Sequence, residues 1–178
     1  KGPASTPEQV AKFKMRAQEN PVHMDMYKML GVQAVAKPTS EVLPALNTGI
    51  VDGFDNTALF SLAAGWIEPI THYTLSRHIY QPAAVVYSKK FVDAMPPDLQ
   101  AIVIGDPFAE SKRGRTAVRA LEGELLETIK SMGISVVDLT TAERDALKAK
   151  TRAVHKSFLA NHQELIPVYK QILGQLAK

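Results

Sequence analysis

Apolar and polar positions follow two alternating periods through the first third of the chain. Thr6-Pro7-Glu8-Gln9 combines a capping Thr, a Pro at the first helical position and a Gln at the capping-box position, and Val10 and Phe13 give the apolar face, which predicts a short helix. Residues 14–17 alternate like a strand, and Asn20-Pro21 opens a second helix that runs through Leu30 and is closed by Gly31. Residues 32–36 read as the next strand. Pro38-Thr39 starts a helix to about Asn47, with Pro44 distorting its first turn because proline lacks the N–H. Residues 50–54 read as a short buried strand and 57–65 as a helix rich in Ala and Leu. A strand-helix-strand rhythm of this kind implies an α/β fold with a mainly parallel sheet between helices.

Beyond this point the pattern coarsens. Residues 71–80 and 83–88 are β-prone runs separated by Gln81-Pro82, the second with apolar residues on both faces. Residues 96–132 are helical in pattern, broken at Gly105-Asp106-Pro107 and ended by Gly133. A strand over 134–139 leads to a capping box at Thr140 and Glu143, which predicts a helix from Thr141 to about Ala160. A last helix carries Leu165, Ile166, Tyr169, Ile172, Leu173 and Leu176 at helical spacing.

Composition narrows the function classes. Of 178 residues, 46% are hydrophobic and 22% charged, the balance of a globular protein, and charged residues interrupt every apolar run before membrane thickness. The net charge of +3 is spread along the chain and aromatics are 7%, so the basic stripe with stacking residues that nucleic acid requires is missing. Lys112, Arg113, Arg115 and Arg119 form the densest basic run, but acids flank it, as on a solvated helix face. Without cysteine there is no disulfide, thiolate metal site or cysteine nucleophile. The sequence starts at Lys1 without an apolar signal region, as a mature exported protein or an excised fragment would.

The common signatures of phosphate loops, dinucleotide binding, zinc proteases and serine hydrolases are absent, so neither an enzyme nor a cofactor is expected. His72 and His78, placed on one strand, would lie roughly 20 Å apart at about 3.3 Å per residue and cannot share a metal; no metal site is expected. Arg16 is the most informative residue. It ends a strand, where open α/β sheets bind ligands, and offers a carboxylate a fork of donors with a permanent charge. The alternative is a surface Arg paired with Glu19. Asp55 and Asn56 follow another strand end, with Asn56 either facing the same cleft or capping the next helix.

These segments, taken in register, resemble a known family. Phe13-Lys14-Met15-Arg16, Pro21 to Gly31 with Met24 and Tyr27, Ala45-Leu46-Asn47-Thr48-Gly49, Val51-Asp52-Gly53 with Asn56, Val85-Val86-Tyr87-Ser88-Lys89-Lys90-Phe91 and Met95-Pro96-Pro97-Asp98 are similar to the periplasmic solute-binding proteins of tripartite ATP-independent (TRAP) transporters, dicarboxylate-binding type. The resemblance implies a periplasmic location, a type II-like binding-protein lobe, a small carboxylate as ligand and the TRAP membrane subunits as partners. It also implies that Arg16 pairs with the ligand carboxylate and that Asn56 lies at the cleft. Departures from the family pattern fall at Phe54, Asp55, Thr57, Thr39 in the pocket wall and Arg77 near the cleft. Arg77 either faces the ligand or points outward to an acid such as Glu68.

Family members carry a whole lobe before the segment matching Lys1 to Arg16. The resemblance therefore implies that residues 1–80 form the core of a second lobe, 81–120 cross to support the first, and 121–178 return. The missing wall is supplied by the same polypeptide, by a partner chain or by self-association. A non-transport interaction or sensing module built on this lobe is the competing reading.

Overall fold

The computed structural model describes residues 2–176. In chain order the elements are α1 (Pro7–Val10), β1 (Lys14–Ala17), α2 (Pro21–Met29), β2 (Gln33–Ala36), a 3₁₀ turn (Thr39–Glu41), α3 (Val42–Asn47), α4 (Ala58–Ala63) and β3 (His72–Leu75). There follow α5 (Lys89–Asp93), α6 (Pro97–Ile104), α7 (Pro107–Ser131), β4 (Ser135–Asp138), α8 (Thr141–Thr151), α9 (Ala153–Asn161), a 3₁₀ turn (Gln163–Leu165) and α10 (Ile166–Leu176).

The helices start where the polar caps sit. The Thr6 side chain accepts from the Gln9 N–H, that of Asn20 from Val22 and His23, and Thr140 and Glu143 close a complete capping box. At α1 the expected box is shifted by one residue, because the Gln9 amide oxygen accepts from Ser5 N rather than from Thr6. Gly31, at φ +74°, ends α2 in a conformation that any β-carbon would strain. Pro44 falls within the first turn of a helix that begins only at Val42, after the 3₁₀ turn, where a missing N–H leaves no bond unmade.

The strands form two parallel pairs, β1 with β2 and β3 with β4, in registers that align Arg16 with Val35 and Leu75 with Asp138. The other edge of β1 takes the chain at Gly53: Arg16 N donates to Gly53 O at 2.8 Å and Asp52 N to Lys14 O at 2.7 Å. Residues 50–54 contribute that single bridge rather than the strand expected of them. Gly53 permits the approach, since a β-carbon there would meet Met15 Sδ at 3.1 Å. One core joins Met15 and Ala17 of β1 to Met26 and Tyr27 of α2, Leu147 of α8 and Val154 of α9; a smaller one joins Ile67, Ile129 and Ile134.

Three further expectations are corrected. The β-prone run 71–80 keeps strand geometry only to Leu75, because Arg77 turns the chain through a left-handed conformation at φ 49°. Residues 83–88 have no strand partner among the described residues; Val85 and Val86 are 85% and 83% exposed. Their β propensity is a preference for packing on a pleated neighbour, and here no neighbour is within reach. The helix expected over 141–160 is divided at Arg152, which itself keeps helical dihedrals. The basic run lies on exposed α7 with Arg113 paired to Glu110. No helix among the described residues is long and apolar enough to cross a membrane.

Candidate functional site

β1 carries Arg16 between two parallel neighbours and leaves only 3% of it exposed. A buried guanidinium must have its donors paired or aimed at a ligand. Nε and Nη2 both donate to the Lys37 carbonyl, at 3.0 and 2.8 Å, and that carbonyl is in place because Lys37 N extends the β1–β2 ladder onto Ala17 O. The guanidinium carbon lies over the Trp66 ring, 5.4 Å from its centroid, and that ring is itself held edge-on by Phe54 and Phe60 at 5.2 Å each. Backbone and indole thus fix the guanidinium plane, with Nη1 and the second Nη2 hydrogen in no described bond. Burial lowers the affinity of Arg16 for its proton, and the charge of Asp55 opposes that shift. The Arg16–Glu19 pairing considered above is not formed; Arg16 is buried instead.

Asp55 is the second feature. Its side chain is 8% exposed and is approached from three directions. The Tyr27 hydroxyl donates to Oδ1 at 3.1 Å, His23 Nε2 lies 3.0 Å from the same oxygen, and His78 Nε2 lies 3.5 Å from Oδ2. His23 Nδ1 accepts the Gln18 N–H at 3.1 Å, so its proton sits on Nε2, toward the carboxylate. His78 differs, since its Nδ1 meets the Ser76 hydroxyl, which either donates or accepts. Burial pushes the Asp55 carboxyl up, but the contacts and charge of the two histidines outweigh it and hold the group well below the usual carboxylate range. The same burial, together with Asp55, raises the Tyr27 hydroxyl well above its ordinary value, so Tyr27 remains a donor. Oδ2 and His23 Nε2 are both buried without a well-aligned hydrogen bond.

Asn56 lies between this cluster and α4. Its side-chain oxygen accepts from Thr57 N at 2.8 Å and its backbone carbonyl accepts the Tyr73 hydroxyl at 2.8 Å, while Thr57 caps the helix by accepting from Phe60 N. The Asn56 amide also carries two N–H donors that make no bond among the described residues. Burial pushes Tyr73 up to about 12. Thr39 opens the 3₁₀ turn at the far end of β2 and is exposed.

Arg77 is drawn elsewhere. Its Nη1 donates to Asp138 Oδ1 at 3.0 Å, not to Glu68, and both side chains are more than half exposed. Arg144 meets the same oxygen at 3.2 Å and also donates to the carbonyls of Leu75, Ser76 and Leu139, tying together the ends of β3 and β4. The structure therefore gathers Arg16, Asp55 and Asn56 at one end of β1 and anchors Arg77 to β4. Sequence reasoning missed Trp66, His23, Tyr27 and Arg144. Trp66 carried the one available signal, being the chain's single tryptophan. Among the described residues no cluster of three or more His, Asp or Glu is arranged to hold a metal.

Residues 1–162 match the family described as bacterial extracellular solute-binding protein, family 7. The chain belongs to that family. Its members are solute-binding proteins of transporters rather than enzymes. A solute-binding protein of Verminephrobacter eiseniae is 32% identical over 71% of this chain and 38% of its own length. The C4-dicarboxylate-binding periplasmic protein DctP of Rhodobacter capsulatus is 31% identical over 86% of this chain and 46% of its own. The periplasmic ectoine-binding protein from the TeaABC TRAP transporter of Halomonas elongata superposes with a TM-score of 0.85 at 26% identity, covering 97% of this chain and 58% of that one. The chain thus spans about half the length of the family 7 proteins it matches, and its fold is that of part of a TRAP periplasmic binding protein.

Proposed function

We propose that this chain forms the carboxylate-anchoring part of a periplasmic solute-binding protein that delivers a small organic acid to a TRAP-type membrane transporter. The observation that carries the reading is Arg16: a buried guanidinium positioned by the Lys37 carbonyl and the Trp66 ring, with donors left unbonded among the described residues. Such a fork binds a carboxylate through two parallel, charge-assisted hydrogen bonds without further ordering of the side chain. Asn56 adds neutral donors to the same ligand, and Thr39 and Asp55 line the approach. Relatives named for C4-dicarboxylates and ectoine, both of them carboxylate ligands, support the class.

The cleft requires a second wall. Tyr80, Val85, Val86, Ile102 and Phe108 are each at least 75% exposed, a series of apolar side chains along residues 80–108 that favours cover by a companion lobe. Residues 1–80 then form the ligand-bearing lobe, 81–120 the connection that supports the companion, and 121–178 the return. The test is a thermal-shift and calorimetric screen of organic acids, including succinate and ectoine, on the full-length gene product and its Arg16→Ala variant. Binding of an acid by the wild type and its loss in the variant support the reading. Equal affinity in both overturns it.

A further inference from the structure

We infer that Trp66 is a positioning residue for acid binding: the turn that ends α4 sets its ring against Arg16, and the ring holds the guanidinium ready for the ligand. The inference rests on the reading of Arg16 as the carboxylate anchor and names what keeps that anchor in place.

The placement starts in the backbone. α4 ends on a left-handed residue, Gly65 at φ +69°, and the two N–H groups that follow the helix turn back onto it: Gly65 N donates to Leu62 O at 3.1 Å and Trp66 N to Ser61 O at 3.0 Å. Those bonds fix the direction in which the Trp66 side chain leaves the backbone. Phe54 and Phe60 then meet its ring at interplanar angles of 80° and 70°, the edge-to-face arrangement that aromatic pairs favour. Only 2% of Trp66 is exposed, so it reaches a ligand through Arg16 and not by contact of its own.

A buried guanidinium needs partners for its charge. Among the described residues no carboxylate is in ion-pair contact with Arg16; its side chain meets one carbonyl and one ring. The choice of partner matters for binding. An acid in that place would compete with the incoming carboxylate for the same N–H groups, whereas a ring attracts the charge through its quadrupole and leaves those groups available. With Lys37 O on one edge of the guanidinium and Trp66 under its carbon, the side chain meets the ligand in a rotamer already chosen. Removing the ring frees that rotamer and takes away the partner of the charge, and both changes weaken acid binding.

The test is calorimetry on the full-length gene product, with succinate, ectoine and D-glucuronate as probes. Trp66→Leu is expected to weaken whichever acid the wild type binds by roughly tenfold, about 1.4 kcal/mol. Trp66→Phe keeps a ring face and is expected to stay within about threefold of the wild type, about 0.65 kcal/mol. Gly65→Ala changes no side chain of the site and its added β-carbon meets nothing closer than 3.7 Å, so it acts only by straining the turn that aims Trp66; a loss of about threefold or more is expected. A ligand-free readout accompanies these. The Arg16 Nε–H signal in heteronuclear NMR, assigned by its loss in Arg16→Lys, is expected to shift and to exchange faster with solvent in Trp66→Leu. Equal affinities in the Leu and Phe variants, or an Arg16 signal unmoved by Trp66→Leu, overturn the inference and leave the carboxylate-anchor reading in place. Should Trp66→Leu not fold, Gly65→Ala decides, and unchanged affinity with an unmoved Arg16 signal overturns the inference. Failure of all the probes to bind the wild type overturns the anchor reading and this inference with it.

Discussion

The Lys37 carbonyl accepts two hydrogen bonds from the one guanidinium of Arg16, at 3.0 and 2.8 Å. This bond exists only because β2 continues past Ala36 in register with β1, so the strand pairing itself aims the anchor.

Arg16→Lys keeps the charge but not the fork. A lysine cannot place two donors on Lys37 O, keep its charge over Trp66 and still present two donors to a carboxylate. Calorimetry on the full-length protein is expected to show roughly tenfold or greater loss of acid binding, about 1.4 kcal/mol. Denaturant unfolding should show a parallel stability loss of about 1–2 kcal/mol from the missing carbonyl and indole contacts. Wild-type affinity in this variant would show that charge alone, and not the fixed plane, holds the ligand.

Asp55→Asn probes the buried cluster. Asparagine still accepts from Tyr27 but loses the charge that the two histidines face, and a cost of about 1–3 kcal/mol is expected at neutral pH. The pH dependence has a definite sign. Because folding lowers the Asp55 pKa, its contribution is fully present above the ordinary value of 3.8 and is lost as pH falls below that value through the folded one. Urea titrations should therefore show a constant gap between wild type and variant from pH 7 down to about 4. The gap should close only in stronger acid. Closure well above pH 4 would show that folding does not hold the Asp55 carboxyl below its ordinary value.

Tyr73 supplies the opposite edge of the pH range. Its hydroxyl is buried against the Asn56 carbonyl and is raised from 10.0 to about 12. Folding thus favours the protonated phenol; its contribution is complete below pH 10 and is lost as pH rises toward about 12. The tyrosinate absorbance of wild type minus Tyr73→Phe should stay flat through pH 10 and rise only near alkaline unfolding. The variant should also be less stable by about 0.5–1.5 kcal/mol at neutral pH, for the lost hydrogen bond. A difference signal that titrates at pH 10 would place the hydroxyl in solvent.

The local part of this structure was legible in the sequence, and the reason is visible in its caps. Thr6, Asn20, Thr57, Asp106 and Thr140 each bond the helix that follows them, so side chains a few residues apart settle where helices begin. Arg16 was legible as a strand-end residue because β1 is short and bounded. What it touches was not, since Lys37 and Trp66 approach from 21 and 50 positions away, and no local pattern encodes such contacts. His78 illustrates the limit best. Its β-prone surroundings suggested a straight strand, and the left-handed turn at Arg77, fixed by Asp138 and Arg144 far along the chain, sends it to Asp55 instead.

The last prediction concerns the apolar arm. Residues 83–88 combine β-prone side chains with no sheet partner among the described residues, and Tyr80, Val85, Val86 and Tyr87 are all more than half exposed. An extended segment of that kind presents unpaired backbone groups as well as apolar area, which favours pairing with another strand. The 178-residue chain alone is therefore expected to self-associate in sedimentation velocity at micromolar concentration and to enhance the fluorescence of a hydrophobic dye. Val85→Lys combined with Val86→Lys should shift the distribution to monomer and reduce dye binding, with little change in unfolding midpoint, because neither side chain contributes to the core. In the full-length gene product the same pair of changes should instead destabilise, since a companion lobe would then cover both positions. A monomeric, dye-silent chain would show that the arm is not a self-association surface, and an unperturbed full-length double variant that it is not the seat of a second lobe.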